Sequence, residues 1–266
     1  MVEGGLYGSV AQRRLQAGAL ESLEATRRTP GAVFAARMSG TEDPERFGWD
    51  RISAILRAEG AMTFRMIAAG ACPEVERRLA ALGFAVAWWD VFEGSRDEVA
   101  VACDGVLAAP RNDVAPLVPF PGDEAEFLAR VQAFMAEGGV APFPAQVLSG
   151  ETGAAALAVL GDARDGSMVA TAFAHFPYNR HSPHRATAWA GLATVREDFR
   201  GRGIGVWVNA LALRRAVIDL RAERAQEFAR KSNAASRRMI ERCGLRLRPD
   251  LLSGIAQPLG SASFTR

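Results

Sequence analysis

Three glycines, Gly201, Gly203 and Gly205, close the stretch Val195-Arg-Glu-Asp-Phe-Arg-Gly-Arg-Gly-Ile-Gly205, which runs from an apolar, strand-like segment into an amphipathic helix. Glycine removes the side chains that would keep a ligand off the backbone, and a helix start presents unpaired N–H groups and the positive end of its dipole. The chemistry such a turn can do is to hold an anion, a phosphate above all, with Arg200 and Arg202 adding charge. Two familiar phosphate motifs fail on spacing. The dinucleotide pattern G-x-G-x-x-G does not fit, because Gly205 follows Gly203 too closely and position 206 is valine. A nucleotide P-loop needs Gly-Lys-Ser/Thr, and the chain's only lysine is Lys231.

What fits is Arg200-x-x-Gly203-x-Gly205 with Val195 ahead of it, which resembles the acetyl-CoA signature of the GNAT superfamily of N-acetyltransferases; Glu197 stands where proline is frequent. A second segment, Asn233-Ala-Ala-Ser-Arg-Arg-Met-Ile-Glu-Arg-Cys-Gly-Leu245, resembles the later element of that superfamily, an asparagine and a short helix before Gly-Phe or Gly-Leu opens a strand. It also has a local reading, with Asn233 as N-cap and Gly244 as C-terminal stop. The resemblance is specific over residues 187–246 and rests on element order upstream. It implies an α/β (α+β) GNAT fold with a central mixed sheet flanked by helices, acetyl-CoA as cosubstrate with no metal, and an amine acceptor, either a small molecule or a peptide. In that fold, main-chain groups of Leu192, Ala193 and Val195 would meet the pantetheine arm and thioester. Backbone N–H groups of Arg200, Gly201, Arg202, Gly203, Ile204 and Gly205 would hold the diphosphate, and Asn233 would touch the cofactor arm besides capping its helix.

Acid and base are less clear. Many members of the superfamily carry a tyrosine where Ile240 stands, able to protonate the departing thiolate; isoleucine cannot. Many also carry a strand glutamate, but residues 186–195 contain no carboxylate. His175, Tyr178, His181 and His184 are the candidates left, since a neutral imidazole titrates near working pH, and the competing reading is a polar surface loop. Glu137, Glu151 and Glu197 are weaker candidates. Three functions therefore stay open: an N-acetyltransferase, a non-catalytic acyl-CoA binding or sensing protein, and an enzyme using a longer acyl-CoA, for which small residues Ala190, Gly191 and Ala193 would leave room.

The elements that must position this chemistry come from a chain of 266 residues, 49% hydrophobic, with a net charge of +2, which is long for one domain and comfortable for up to two. Arginines are interspersed with acids, which argues against nucleic-acid binding. Three cysteines without C-x-x-C spacing and three histidines suggest neither a disulfide framework nor a zinc site. No signal peptide precedes Gly18 and no apolar run is long enough to span a membrane, so a cytoplasmic protein is expected.

Periodicity predicts helical spacing over residues 6–28, then a strand over 32–38, a helix over 50–58, a strand over 63–68, a helix over 73–82 and a strand over 85–92. This order mimics the back half of a GNAT domain. Pro73-Glu-Val-Glu-Arg-Arg-Leu-Ala-Ala-Leu-Gly-Phe84 lies without gaps on Ala234–Leu245, either as a degenerate internal repeat or as a common packing unit. Its upstream counterpart, Ser39-Gly-Thr-Glu-Asp-Pro44, carries carboxylates that would repel a diphosphate, so one cofactor site is expected. Prolines 110, 116, 119 and 121 mark a connector, giving domains 1–110, a degenerate GNAT-like βαβαβ half, and 111–266, a GNAT domain. The first would shape the acceptor pocket or pair with its equivalent in a homodimer. In the second, a strand over 114–120, a helix over 123–137 capped by Asp123, a loop 138–144 at the acceptor entrance, a hairpin turning at Gly161–Gly166 and a strand over 187–195 lead to the glycines.

Overall fold

The computed structural model describes residues 4–261. In chain order the helices are α1 (Val10–Glu21), α2 (Leu23–Arg28), α3 (Pro44–Phe47), α4 (Trp49–Glu59), α5 (Cys72–Ala81), α6 (Arg96–Leu107), α7 (Glu124–Glu137), α8 (Ala145–Leu148), α9 (Ile204–Arg214) and α10 (Ala234–Arg242). The strands are β1 (Ala32–Phe34), β2 (Ser39–Thr41), β3 (Met62–Ala68), β4 (Phe84–Ser95), β5 (Val114–Pro116), β6 (Ala155–Asp162), β7 (Met168–His175), β8 (Thr187–Val195), β9 (Arg224–Ala229) and β10 (Arg246–Pro258). All ten strands join one mixed sheet in the order β1-β2-β3-β10-β4-β9-β8-β7-β6-β5.

That order crosses the two halves of the chain over one another. β4, from the first half, sits between β9 and β10, and β10, the last strand in sequence, sits between β3 and β4. The two helix-glycine-strand units take matching places in this register. Asp90↔Ala229 in the β4–β9 ladder has Leu251↔Ala68 in the β10–β3 ladder as its counterpart, each strand residue lying equally far past the glycine that ends its preceding helix. Those glycines, Gly83 and Gly244, share a left-handed φ of 85° and 86°, the conformation that lets a helix stop and a strand leave at once.

Side chains alternate across the sheet, so each face has its own core. Phe173 of β7 faces α7 and packs with Phe127, Val131, Met135, Phe143 and Trp189, while its neighbour Ala174 faces α9 with Ala188, Ala210, Leu213 and Ile240. At the other end, Ile52 and Leu56 of α4 and Val75 and Leu79 of α5 bury the apolar face of β3. Three ion pairs, on two carboxylates, tie the halves together near the crossing. Glu93 of β4 accepts from Arg224 of β9 at 2.9 Å and from Arg248 of β10 at 2.7 Å, and Asp90 of β4 accepts from Arg237 of α10.

Three expectations need correction. The strand expected over 32–38 is interrupted: at Ala36 the backbone turns left-handed (φ 64°), and β1 and β2 form an antiparallel pair instead. The strand expected over 114–120 stops at Pro116, since prolines remove the ladder donors needed to continue. Asp123 precedes α7 but makes no side-chain capping bond. Helix α6 was not anticipated, although Ser95 and Glu98 form a reciprocal capping box that announces it.

Candidate functional site

β8 and β9 run parallel but pair only at Thr187↔Arg224, Ala188↔Ala225 and Trp189↔Gln226. Beyond Trp189 they separate, and the opening forms a cleft of about 240 Å³ with Gly191 and Leu192 on one wall and Phe228 and Ala229 on the other. The separation has a local cause. Register against β7 shifts between Thr171↔Thr194 and Phe173↔Gly191, a bulge centred on Leu192, whose φ is 55°. A left-handed leucine costs about 1–2 kcal/mol. Its carbonyl is fixed by the Thr171 and Thr194 hydroxyls at 3.3 and 3.4 Å. Gly191 has no room for a side chain, because a Cβ there would lie 2.7 Å from the Trp189 ring.

Past the strand, the glycine turn opens a second cleft of about 470 Å³ between itself and α10. Gly201 and Gly203 take φ values of 79° and 77°, and Gly203 is the N-cap of α9. No side chain caps that helix, so its first N–H groups face the turn unanswered. Gly205 is needed for space rather than conformation, since a Cβ would stand 3.4 Å from Val195 and 3.7 Å from Met239, narrowing the passage. The walls carry Arg200, Arg238 and Arg242 and, among the described residues, no carboxylate. This is a cationic slot with a helix N-terminus at its floor, and it fits a diphosphate.

The glycine turn and its neighbours are placed as follows. Arg200 donates to the Val195 carbonyl at 3.1 Å and lines the slot. Arg202 lies outside it, stacked on Phe199 at 4.9 Å. Its carbonyl accepts from Arg111, itself held by Asp113, so a connector residue clamps the turn at 2.8 Å. Ile204 is fully buried in the core beneath α9. Ala193 and Val195 line the slot and Leu192 the first cleft. Asn233 caps α10 through the Ser236 N–H at 3.0 Å and borders the first cleft.

Sequence reasoning missed Arg238 and Arg242, whose i, i+4 spacing on α10 is their only signal, and Ser236, which lines both clefts where they meet. Ile240 is buried under α10 against α9 and reaches neither cleft.

His175, Tyr178 and His184 line neither cleft. His175 lies behind Trp189 in an aromatic cage with Phe34, Phe143 and Phe173, and burial, reinforced by Arg65, holds its pKa well below the usual value. Tyr178 is buried, accepts from Gln226, and is pushed above its ordinary range by burial. His184 packs on Tyr178 at the far end of β8, with its pKa lowered mainly by burial. His181 sits in the same connection, its N–H donating to Asn179.

The first cleft continues under the loop of residues 138–144 into a further cavity of about 210 Å³ lined by Tyr7, Gln16, Met38 and Pro142. Arg37 borders both spaces, donates to the Ala141 carbonyl at 3.0 Å and stacks on Phe143. Arg65 of β3 stands between Trp189 and Phe228, at 5.1 and 5.6 Å from their rings. Among the described residues no His, Cys, Asp and Glu group could hold a metal, and no helix is long and apolar enough to cross a membrane.

No protein-family model and no curated protein matches the sequence. Solved structures do resemble the fold. A GCN5-related N-acetyltransferase from Kribbella flavida superposes with a TM-score of 0.57 at 15% identity, covering 96% of this chain and 98% of that one. A Drosophila protein gives 0.57 at 14% identity over 97% and 92%. A tandem GNAT protein from the clavulanic acid biosynthesis pathway gives 0.51 at 14% identity over 80% and 70%. The architecture is the GNAT fold.

Proposed function

We propose that this chain, on its GNAT fold, is an acetyl-CoA-dependent N-acetyltransferase that transfers the acetyl group directly to an amine. The observation that carries the reading is the pair of joined clefts: a strand splay with a left-handed bulge at Leu192, opening into an arginine-lined slot over the uncapped start of α9. Acetyl-CoA, when bound, supplies an activated acyl carbonyl. The N–H groups of the glycine turn, with Arg200, Arg238 and Arg242, would hold the diphosphate, and the splayed strands would hold the pantetheine arm between them.

The amine must arrive without its proton, and among the described residues no carboxylate or imidazole lines the acceptor cleft. The charges that do line it are arginines 37, 65 and 230. Cations nearby disfavour an ammonium ion and lower its pKa, so the cleft itself promotes the free amine and water carries the proton away. At the other end of the reaction the Ser236 hydroxyl would give a proton to the leaving thiolate, a role supported by Ser236 lining both clefts.

The test is calorimetric titration with acetyl-CoA and a thiol-release assay over a panel of amines. Gly203→Glu would put a carboxylate at the slot and is expected to weaken acetyl-CoA binding more than ~100-fold, about 3 kcal/mol, with the circular dichroism spectrum unchanged. Unchanged affinity sinks the site. Tight binding without release of thiol on any amine would favour a binding or sensing role.

A further inference from the structure

The acceptor cleft holds a buried cation that the protein does not neutralise. Arg65 is 5% exposed, and neither its Nε nor its Nη1 has a hydrogen-bond partner among the described residues. The Trp189 Nε1 in the same wall is also buried and unpartnered. All three orphans are donors, and both residues line the cleft. A guanidinium stays charged, and among the described residues Arg65 meets only a neutral partner, the Tyr178 hydroxyl, so its burial is costly. Burial lowers the Arg65 pKa, opposed by Tyr178, and Arg37 is pushed down to about 10 by burial and by Arg65. The two arginines thus repel one another in a space whose walls, including the adjoining cavity under the 138–144 loop, carry no acid among the described residues.

We infer that Arg65, with Arg37 and the Trp189 indole N–H, binds a carboxylate of the acceptor, so that the substrate class is amino acids or closely similar amino-carboxylates. This rests on the acyltransferase reading of the same cleft. The free Nε–H and Nη1–H sit on different edges of the guanidinium, so a carboxylate would accept one charge-assisted bond from Arg65 and keep lone pairs for the indole N–H and for Arg37. It would hold its amine near the bulge at Leu192, while the substrate's remaining part enters the cavity beside Tyr7 and Met38. Polycations, such as polyamines and aminoglycosides, meet Arg65 and Arg37 and are disfavoured.

The experiment has a binding arm and a turnover arm, both on the full chain. In the first, thermal unfolding is followed with the twenty amino acids and with acetate, malonate and succinate, against chloride at equal ionic strength. A carboxylate is expected to raise the Tm of the wild type and to leave Arg65→Gln unmoved; if no carboxylate does so, the inference fails whatever the activity. Arg65→Met in the absence of ligand is expected to melt no lower than wild type, because an unpaired buried charge is removed, and a marked fall in its Tm would make Arg65 a structural residue instead.

In the second arm, acetylation of the amino acids is compared with that of their amides. A rise in KM of about 100-fold for the amide, and of similar size for Arg65→Gln with kcat changed less, is the expected result. Equal use of acids and amides overturns the inference. Turnover with succinyl-CoA but not acetyl-CoA also overturns it, placing the carboxylate on the acyl group. Acetyl-CoA affinity, measured on the same samples, separates these failures from failure of the transferase reading, since Arg65 lies outside the diphosphate slot.

Discussion

Buried polar side chains carry most of what can be tested one residue at a time. Glu227 of β9 points away from the acceptor cleft into the layer under α9, where its Oε1 accepts from Asn209 at 2.7 Å and burial raises its pKa from 4.5 to about 7. Between those two pH values the folded chain keeps a proton that the unfolded chain has released, so stability falls as pH rises through the window and levels off above it. The loss should be on the order of 3 kcal/mol. Glu227→Gln keeps the Asn209 contact and removes the ionisation, so its denaturation midpoint is expected to gain on that of wild type from pH 5 to 7 and to keep that lead above, the lowered pKa values of His175 and His184 acting on both alike. For catalysis, Ser236→Ala is expected to lower kcat at least ~10-fold, with acetyl-CoA affinity preserved, if its hydroxyl protonates the thiolate. An unchanged kcat would assign that proton to water. Sequence could not have found Arg65, a lone cation inside the apolar strand Met62–Ala68, because the rings that flank it, Trp189 and Phe228, come from distant parts of the chain.

At the scale of elements, the helix-glycine-strand unit occurs twice with different surroundings. Gly83 and Gly244 have nearly the same φ, but a Cβ at Gly83 meets open space whereas one at Gly244 would lie 2.6 Å from the Glu98 carbonyl and 2.9 Å from Ala102. Gly83→Ala is therefore expected to cost about 1 kcal/mol for its backbone alone. Gly244→Ala should cost about 3 kcal/mol or more, since a rigid carbonyl must move as well. Urea denaturation of both variants checks this, and equal losses would mean that α6 yields easily. Local signals made these units legible: Asn233 before the helix, glycine after it, and an apolar run bounding β8 at its actual ends. Elements whose ends depend on neighbours were not. Ala35–Met38 continues an apolar run, yet the chain must turn there to bring Ser39–Thr41 beside β3.

Strand order sets the behaviour of the whole molecule. Sequence motifs located the glycine turn and suggested a repeat, but could not reveal that each half completes the other's sheet, because pairing between distant strands leaves no periodic trace. With β4 held between β9 and β10, and β10 between β3 and β4, each half has one strand whose neighbours in the sheet come from the other half. A single cooperative unfolding transition is expected by calorimetry, and fragments 4–110 and 111–261 should each be unfolded alone and recover structure when mixed. Two separable transitions would show that the ion pairs of Glu93 and Asp90 join units that are stable by themselves.

The position of β10 also sets a timetable for the ribosome. While the first 245 residues emerge, the flanks of β3 and β4 that β10 will fill remain unpaired, although the helices over them can already pack. Open strand edges recruit other chains, and pairings between distant segments form slowly. Trp89 and Val91 lie along this seam, so the nascent protein presents an adhesive strip until β10 is released. Its yield in a cell would then depend on how quickly residues 246–258 follow the rest, and on chaperones that cover the gap in the meantime.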